Sequence, residues 1–406
     1  MITPSAAAQQ KLIYGTLLSD GQRINDGVLA TEGDRISYAG PAAGFVPPTG
    51  AVETRLDAGS LILPGLIDIH NHGAVGGDFP GGEEAGARKA IDFLHSSGTT
   101  TLLASMVTAS EEDLLRGIEL YVRLSKEGLL AGIHLEGPFL SEARCGAQDP
   151  AFLRAPDLEL ARRLIEAGEG KIVTMTYAPE LEGAAALIDL LTSHGVTPSL
   201  GHTDSDAPTA AGSLAQAREG LAAAGFDGNT GRPTVTHLFN GMPPMHHRAP
   251  GPVAACLRAA KAGQAAVELV ADNTHLDPQT VLTVFELVGA KNILLVTDSM
   301  AATGLSDGGY RLGPAQVSVS QGVATLDSTG SIAGGTATLL QVVLRTAAAG
   351  VPLEDAVLSA TAVPATVLGL SDEVGGLRRG LRADGVIIDA AGELKSVLRG
   401  GNWLRN

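Results

Sequence analysis

Short apolar runs that end in a polar group recur through this chain. Asn292-Ile-Leu-Leu-Val-Thr-Asp298 closes on a carboxylate, and Pro64-Gly-Leu-Ile-Asp-Ile-His70-Asn-His72-Gly closes on two imidazoles. A parallel strand buried on both faces reads as a featureless apolar run. Polar groups at its carboxyl end are therefore out of place for packing alone, and their repetition points to one site assembled from many strand ends. Eight such runs alternate with Ala- and Leu-rich helical stretches: Leu61 to Ile69, Thr99 to Leu103, Gly132 to Leu135, Ile172 to Tyr177, Thr197 to Leu200, Thr234 to Thr236, Ala266 to Val270 and Ile293 to Val296. Eight βα units are what a TIM barrel requires, and in that fold the active site lies at the carboxyl ends of the strands. A doubly wound open sheet competes, but no Gly-rich phosphate signature follows the first strand.

The expected fold class is thus α/β: a (β/α)8 TIM barrel over 64–365, with an inserted hairpin near 311–325, and a small β-sandwich domain built from both termini, 1–63 and 366–406. The terminal assignment rests on alternating apolar and polar residues between turn signals such as Ser19-Asp-Gly21, Glu32-Gly-Asp34 and Ala39-Gly-Pro41. The same pattern returns between Gly375 and Asp389. With 406 residues, 44% of them hydrophobic and 18% charged, the chain has ample material for a large core. The net charge of -16 argues against a nucleic-acid partner, which would need clustered cations on its phosphates. Two cysteines, Cys145 and Cys256, make no disulfide framework and are expected to be free thiols. No signal peptide and no bilayer-length apolar stretch is visible, so a cytoplasmic location without membrane contact is expected.

The residues closing the strands form a constellation. Strand one ends in His70 and His72, strand three in Glu136, strand five in His202 and strand six in His237. Strand seven is followed by His275, and strand eight ends in Asp298. Five of these seven are His, from only ten in the chain. Taken singly, a strand-end His is ordinarily a packing residue and Asp298 an N-cap for Ser299-Met-Ala-Ala302. Taken together, imidazoles and carboxylates at one mouth match the ligand shell of a divalent ion, whose bound water has its pKa lowered to near neutral. Because alternate strand residues share a side, both His70 and His72 are expected to enter the mouth.

These residues carry a resemblance. The segment from Pro64 to Gly73, with Asp298 after a late strand, resembles the amidohydrolase superfamily. His134-Leu-Glu-Gly-Pro-Phe139, Gly201-His202-Thr203, Thr236-His-Leu-Phe-Asn-Gly-Met-Pro243 and Val296-Thr-Asp298 resemble, more narrowly, the family of N-acetylglucosamine-6-phosphate deacetylases. The likeness runs the length of the chain, and the two strings around Glu136 and His237 are its most specific part. It implies metal-dependent hydrolysis of an acetamide on a small phosphorylated amino sugar, in amino-sugar catabolism and cell-wall recycling. Glu136, His202 and His237 would hold the main metal, His70 and His72 a second one, and Asp298 would carry the proton. The metal would be Zn, with Fe, Co or Mn as alternatives, at one or two ions per subunit.

The same resemblance assigns Asn240, Gly241, Arg248 and His275 to the sugar and its phosphate, with Ala147, Gln148, Ala337, Thr338 and Leu339 as further substrate contacts. It also implies a homodimer in which Arg248 acts across the interface. One departure stands out: where many members carry a His, the loop Arg144-Cys-Gly-Ala-Gln-Asp-Pro150 has Gln148, which keeps hydrogen-bonding groups but loses the titratable ring. The alternatives are the galactosamine isomer as substrate, or another amidohydrolase of the dihydroorotase kind. The latter resembles this chain in the first motif but uses a carboxylated lysine after strand four, where this chain has Thr176-Tyr177-Ala178 and its Lys171 lies at the strand's beginning. A catalytically dead barrel would be expected to lack ligands, and none is missing.

Overall fold

The computed structural model describes residues 10–225 and 231–405. Its centre is an eight-stranded parallel sheet of Leu66–Asp68 (β1), Thr99–Val107 (β2), Gly132–Glu136 (β3), Ile172–Tyr177 (β4), Thr197–Leu200 (β5), Thr234–Val235 (β6), Ala266–Leu269 (β7) and Ile293–Leu295 (β8), hydrogen-bonded in that order. The first and last strands meet just past their ends, closing the barrel. Asn71 and Ser299 form a parallel bridge, Asp298 N–H donates to the His70 carbonyl at 2.9 Å, and His72 N–H donates to the Ser299 carbonyl at 2.7 Å. An outer helix follows every strand, from Glu84–Ser96 after β1 to Leu339–Ala348 after β8. β2 is buried at all nine positions because barrel side chains fill one face and helices the other.

Both termini contribute to a second sheet, ordered Asn402–Arg405, Leu394–Arg399, Gly385–Ile388, Leu61–Pro64, Lys11–Ser19, Gln22–Glu32 and Arg35–Pro41, with Val52–Arg55 paired beside Lys11–Ser19. The period-2 rule sorts its side chains. Leu61, Leu63, Val386 and Ile388 join the barrel's core, whereas Ile62 and Ile387 pack with Ile13, Leu29 and Leu398 in a separate cluster.

Two expectations change here. The run Leu61 to Ile69 is not one barrel strand. Its first half pairs antiparallel with Gly385–Ile388, and the chain enters the barrel only after Gly65. A Cβ at Gly65 would lie 2.0 Å from Thr100 Oγ1, so the crossing requires glycine. The insertion after β8 is also larger than a hairpin: Gly308–Leu312, Ala315–Ser320 and Val323–Leu326 form a three-stranded antiparallel sheet. Its apolar face, with Leu312, Val317 and Leu326, packs with Val107, Met300 and Ala333. Both cysteines are free. Among the described residues, no helix is long and apolar enough to cross a membrane.

Candidate active site

The polar strand ends do converge. Glu136, last residue of β3, places Oε1 2.9 Å from His202 Nε2 and 2.9 Å from His237 Nε2, and those two nitrogens are 3.1 Å apart. Beside them, His70 Nε2 lies 3.1 Å from His72 Nε2, and Asp298 Oδ1 is 3.5 and 3.2 Å from the same two atoms. Both triads offer ligand atoms mutually within 4.8 Å. The backbone is bent to achieve this: His202, His237 and Asp298 have φ of 46°, 26° and 48°, a region non-glycine residues occupy only when the surrounding structure holds them there. Asp298 is not a helix cap, since turns rather than a helix follow it.

The outer nitrogens explain why the inner ones point inward as lone pairs. His70 Nδ1 faces Glu268 Oε2 at 2.9 Å, His72 Nδ1 faces the Ser105 carbonyl at 3.1 Å, and His202 Nδ1 faces the Arg144 carbonyl at 2.8 Å. These oxygens can only accept, so each neutral ring carries its proton on Nδ1 and turns a bare Nε2 to the cavity. Bare nitrogens about 3 Å apart repel unless a cation lies between them. A tetrahedral zinc with bonds of about 2.0–2.1 Å would separate its nitrogen ligands by about 3.3 Å, close to the spacings found. The donor set therefore fits a divalent ion, with Glu136, His202 and His237 as one ligand group and His70, His72 and Asp298 as another.

Charge argues the same way. Glu136, Glu268 and Asp298 are three buried carboxylates, and such a group demands a counter-charge. Burial alone would push the Glu136 carboxyl up, but His70, His202 and His237 hold it well below its usual range. Burial opposes the charged form of His72, yet Asp298 and Glu136 raise its pKa to about 9. The same negative field that draws a proton there would draw a metal cation.

A cavity of about 220 Å³ opens over the two triads. Of the expected substrate contacts, Ala147, Gln148, Asn240, Gly241 and His275 line it, with Leu312, Ser331, Ile332 and Gly334, which sequence reasoning passed over. A larger cavity of about 720 Å³ lies elsewhere, beside Asp78, Arg116 and Arg311, and lacks the ligand cluster. Four expected contacts, Arg248, Ala337, Thr338 and Leu339, do not line the site cavity: Ala337 and Leu339 are buried, and Thr338 caps the helix Leu339–Ala348, its hydroxyl accepting from Gln341 N–H. Arg248 is exposed and hydrogen-bonds the neighbouring His247 at 2.7 Å, outside its own cavity.

Supporting groups missed in the sequence include Glu268, Asp272 and Ser105. Asp272 Oδ2 faces His275 Nδ1 at 2.9 Å, and His275 Nε2 lies 3.6 Å from Asp298 Oδ2. Glu268 sits inside the apolar run Ala266 to Val270. A lone carboxylate in a buried strand is the same signal that singled out Asp298, and it would have identified Glu268.

A model of the amidohydrolase family matches residues 61–404. The chain is 31% identical over 359 residues to the N-acetylglucosamine-6-phosphate deacetylase of Vibrio furnissii, covering 87% of this chain and 83% of that one. It is 34% identical over 328 residues to the Bacillus subtilis (strain 168) protein of the same name, covering 77% and 74%. Among solved structures, it is similar to a mutant N-acetyl-D-glucosamine-6-phosphate deacetylase of Mycobacterium smegmatis in complex with N-acetyl-D-glucosamine-6-phosphate. That likeness has a TM-score of 0.88 at 36% identity, over 98% of this chain and 100% of the other. The Thermotoga maritima enzyme of this name aligns at a TM-score of 0.81 and 26% identity, over 97% and 100%.

Proposed function

The chain belongs to the amidohydrolase family, and from that premise we propose that it hydrolyses the acetamide of N-acetylglucosamine 6-phosphate to acetate and glucosamine 6-phosphate. The observation that carries this is the convergence of Glu136, His202 and His237 beside His70, His72 and Asp298 under one small cavity. The relatives named for this activity cover most of the chain and support the choice of substrate.

A divalent ion, zinc or alternatively iron, cobalt or manganese, would supply Lewis acidity at the acetyl carbonyl and activate the attacking water. Glu136, His202 and His237 would hold it, and His70, His72 and Asp298 have the donors for a second. Asp298 takes a proton from the attacking water on its carboxylate and delivers it to the nitrogen as the C–N bond breaks, so the amine leaves neutral. His275, braced by Asp272, stands against Asp298 and hydrogen-bonds the substrate. Asn240 and Gly241 at the cavity rim hold the sugar.

The phosphate needs a cation that overcomes the chain's overall negative charge. Arg248 is exposed and does not line its own cavity, on a segment whose residues 244–250 are all exposed. This placement supports a homodimer in which Arg248 serves the neighbouring subunit's site. The composition and free thiols support a cytoplasmic enzyme.

A cyclic-amide hydrolase is disfavoured, because the side chains closing β4 bond elsewhere: Thr176 with Thr236 at 2.8 Å and Tyr177 with Ser213 at 2.6 Å. The test is acetate release by the zinc-loaded protein from N-acetylglucosamine 6-phosphate, with the galactosamine isomer alongside. Turnover of the first with a higher kcat/KM is expected. No acetate from either would overturn the assignment, and preference for the second would transfer it to the isomer.

A further inference from the structure

Gln148 occupies the loop after β3, is 5% exposed, and has both ends of its amide engaged. Its Oε1 accepts the Thr108 N–H at 2.7 Å, and its Nε2 donates to Glu136 Oε2 at 2.8 Å. Chemistry fixes this orientation of the amide. The Thr108 N–H can only donate and an ionised carboxylate can only accept, so a flipped amide would lose both bonds. Thr108 directly follows β2, whose ladder to β3 sets the position of its N–H. A continuous chain therefore runs from the end of β2, through Gln148, to one oxygen of Glu136.

The other oxygen, Oε1, faces His202 Nε2 and His237 Nε2. A carboxylate tethered on neither oxygen turns about its last bond, exchanging the two. One tethered through Oε2 presents Oε1 in a single direction. We propose that Gln148 is a positioning residue for Glu136, holding Oε2 so that Oε1 completes the ligand group with His202 and His237, and that it does so in place of contacting the substrate. As an amide it stays a neutral donor at every pH, so the tether does not titrate as a histidine there would.

The inference rests on the ligand role given to Glu136 above. Outer partners of metal ligands change affinity about 10–100-fold when removed. Gln148→Met keeps the volume and removes both polar ends. Titration of the apo-protein with Zn²⁺ against a chromogenic chelator is expected to show about 10–100-fold weaker binding than in the native chain, with KM for N-acetylglucosamine 6-phosphate unchanged once zinc is saturating. Native zinc affinity in the variant overturns the proposal. So does a raised KM at saturating zinc with native zinc affinity, which would return Gln148 to the substrate. Should the Met variant melt early, Gln148→Ala is titrated in its place under the same criteria. Glu136→Ala is the control: if it binds zinc as the native chain does, the ligand assignment and the metal site of the proposed function fail together, independently of Gln148.

Discussion

Glu268 and His70, 198 positions apart in the chain, meet inside the barrel with Oε2 2.9 Å from Nδ1, and the same oxygen accepts the His237 backbone N–H at 3.1 Å. One buried carboxylate thus sets the tautomer of an imidazole in one triad and the backbone of an imidazole in the other. Glu268→Leu removes both contacts. An orphaned buried N–H costs about 1–3 kcal/mol, and zinc affinity should fall about 10–100-fold. Chemical denaturation and a zinc titration read the two effects, and native behaviour in both would deny Glu268 either part.

Asp298, proposed above as the proton carrier, lies 3.2 Å from His72 Nε2 and 3.6 Å from His275 Nε2. Asp298→Asn keeps the shape and removes the base. Acetate release should drop about 10²–10⁴-fold, the usual worth of general acid–base catalysis, while calorimetry still detects substrate binding to the zinc-loaded protein. Full turnover in Asp298→Asn would show that another group carries the proton.

His95, on the helix Glu84–Ser96 and outside both candidate ligand groups, gives a pH prediction. Burial, reinforced by Arg399 and Arg382, lowers its pKa from 6.5 to about 3. The unfolded chain therefore binds a proton between those values that the folded chain refuses. His95 costs no stability above pH 6.5, and stability is lost as the pH falls toward 3. Between pH 7 and pH 5 the loss is about 2 kcal/mol from this group. His95→Leu should show a shallower decline in unfolding free energy over that interval, and parallel curves for the two proteins would refute the assignment.

Asp384 ties the terminal sheet to the barrel. It accepts from Thr100 Oγ1 at 2.9 Å, Gly400 N–H at 2.8 Å and Arg382 Nε at 2.9 Å, and it is 5% exposed. Removing one partner of a buried ion pair leaves the other uncompensated, at a cost on the order of 3 kcal/mol. Asp384→Ala should lose stability of that order, with kcat retained at low temperature because Thr100 lies at the opposite end of β2 from the site. A variant as stable as the native chain would show the sheet to be held by packing alone.

Much of this was legible in the sequence. The eight apolar runs identified the barrel strands, and their polar ends named all six residues that the fold gathers into the two candidate ligand groups, because a carboxylate or imidazole on a doubly buried strand has few other uses. The boundary at Leu61 to Ile69 was not legible: Leu61–Pro64 and Leu66–Asp68 are equally apolar, and nothing local says that the first pairs with Gly385–Ile388 and the second with β2. The missed carboxylates Glu268 and Asp272 had the same local signature as Asp298, but their partners lie on other strands or depend on a loop's turn.

What the sequence determined by itself is a set of burial periods and the residue types that interrupt them, since periodicity records which side of an element meets the core. What only the tertiary structure decided is the pairing across strands: that Glu268 reaches His70, that Gln148 takes one oxygen of Glu136, and that Arg248 bonds His247 outside the cavity lining. Hydrogen bonds are directional and short, so the protonated nitrogen of a ring and the presented oxygen of a carboxylate are set by atoms within about 3 Å, brought there by chain closure rather than by neighbours in sequence.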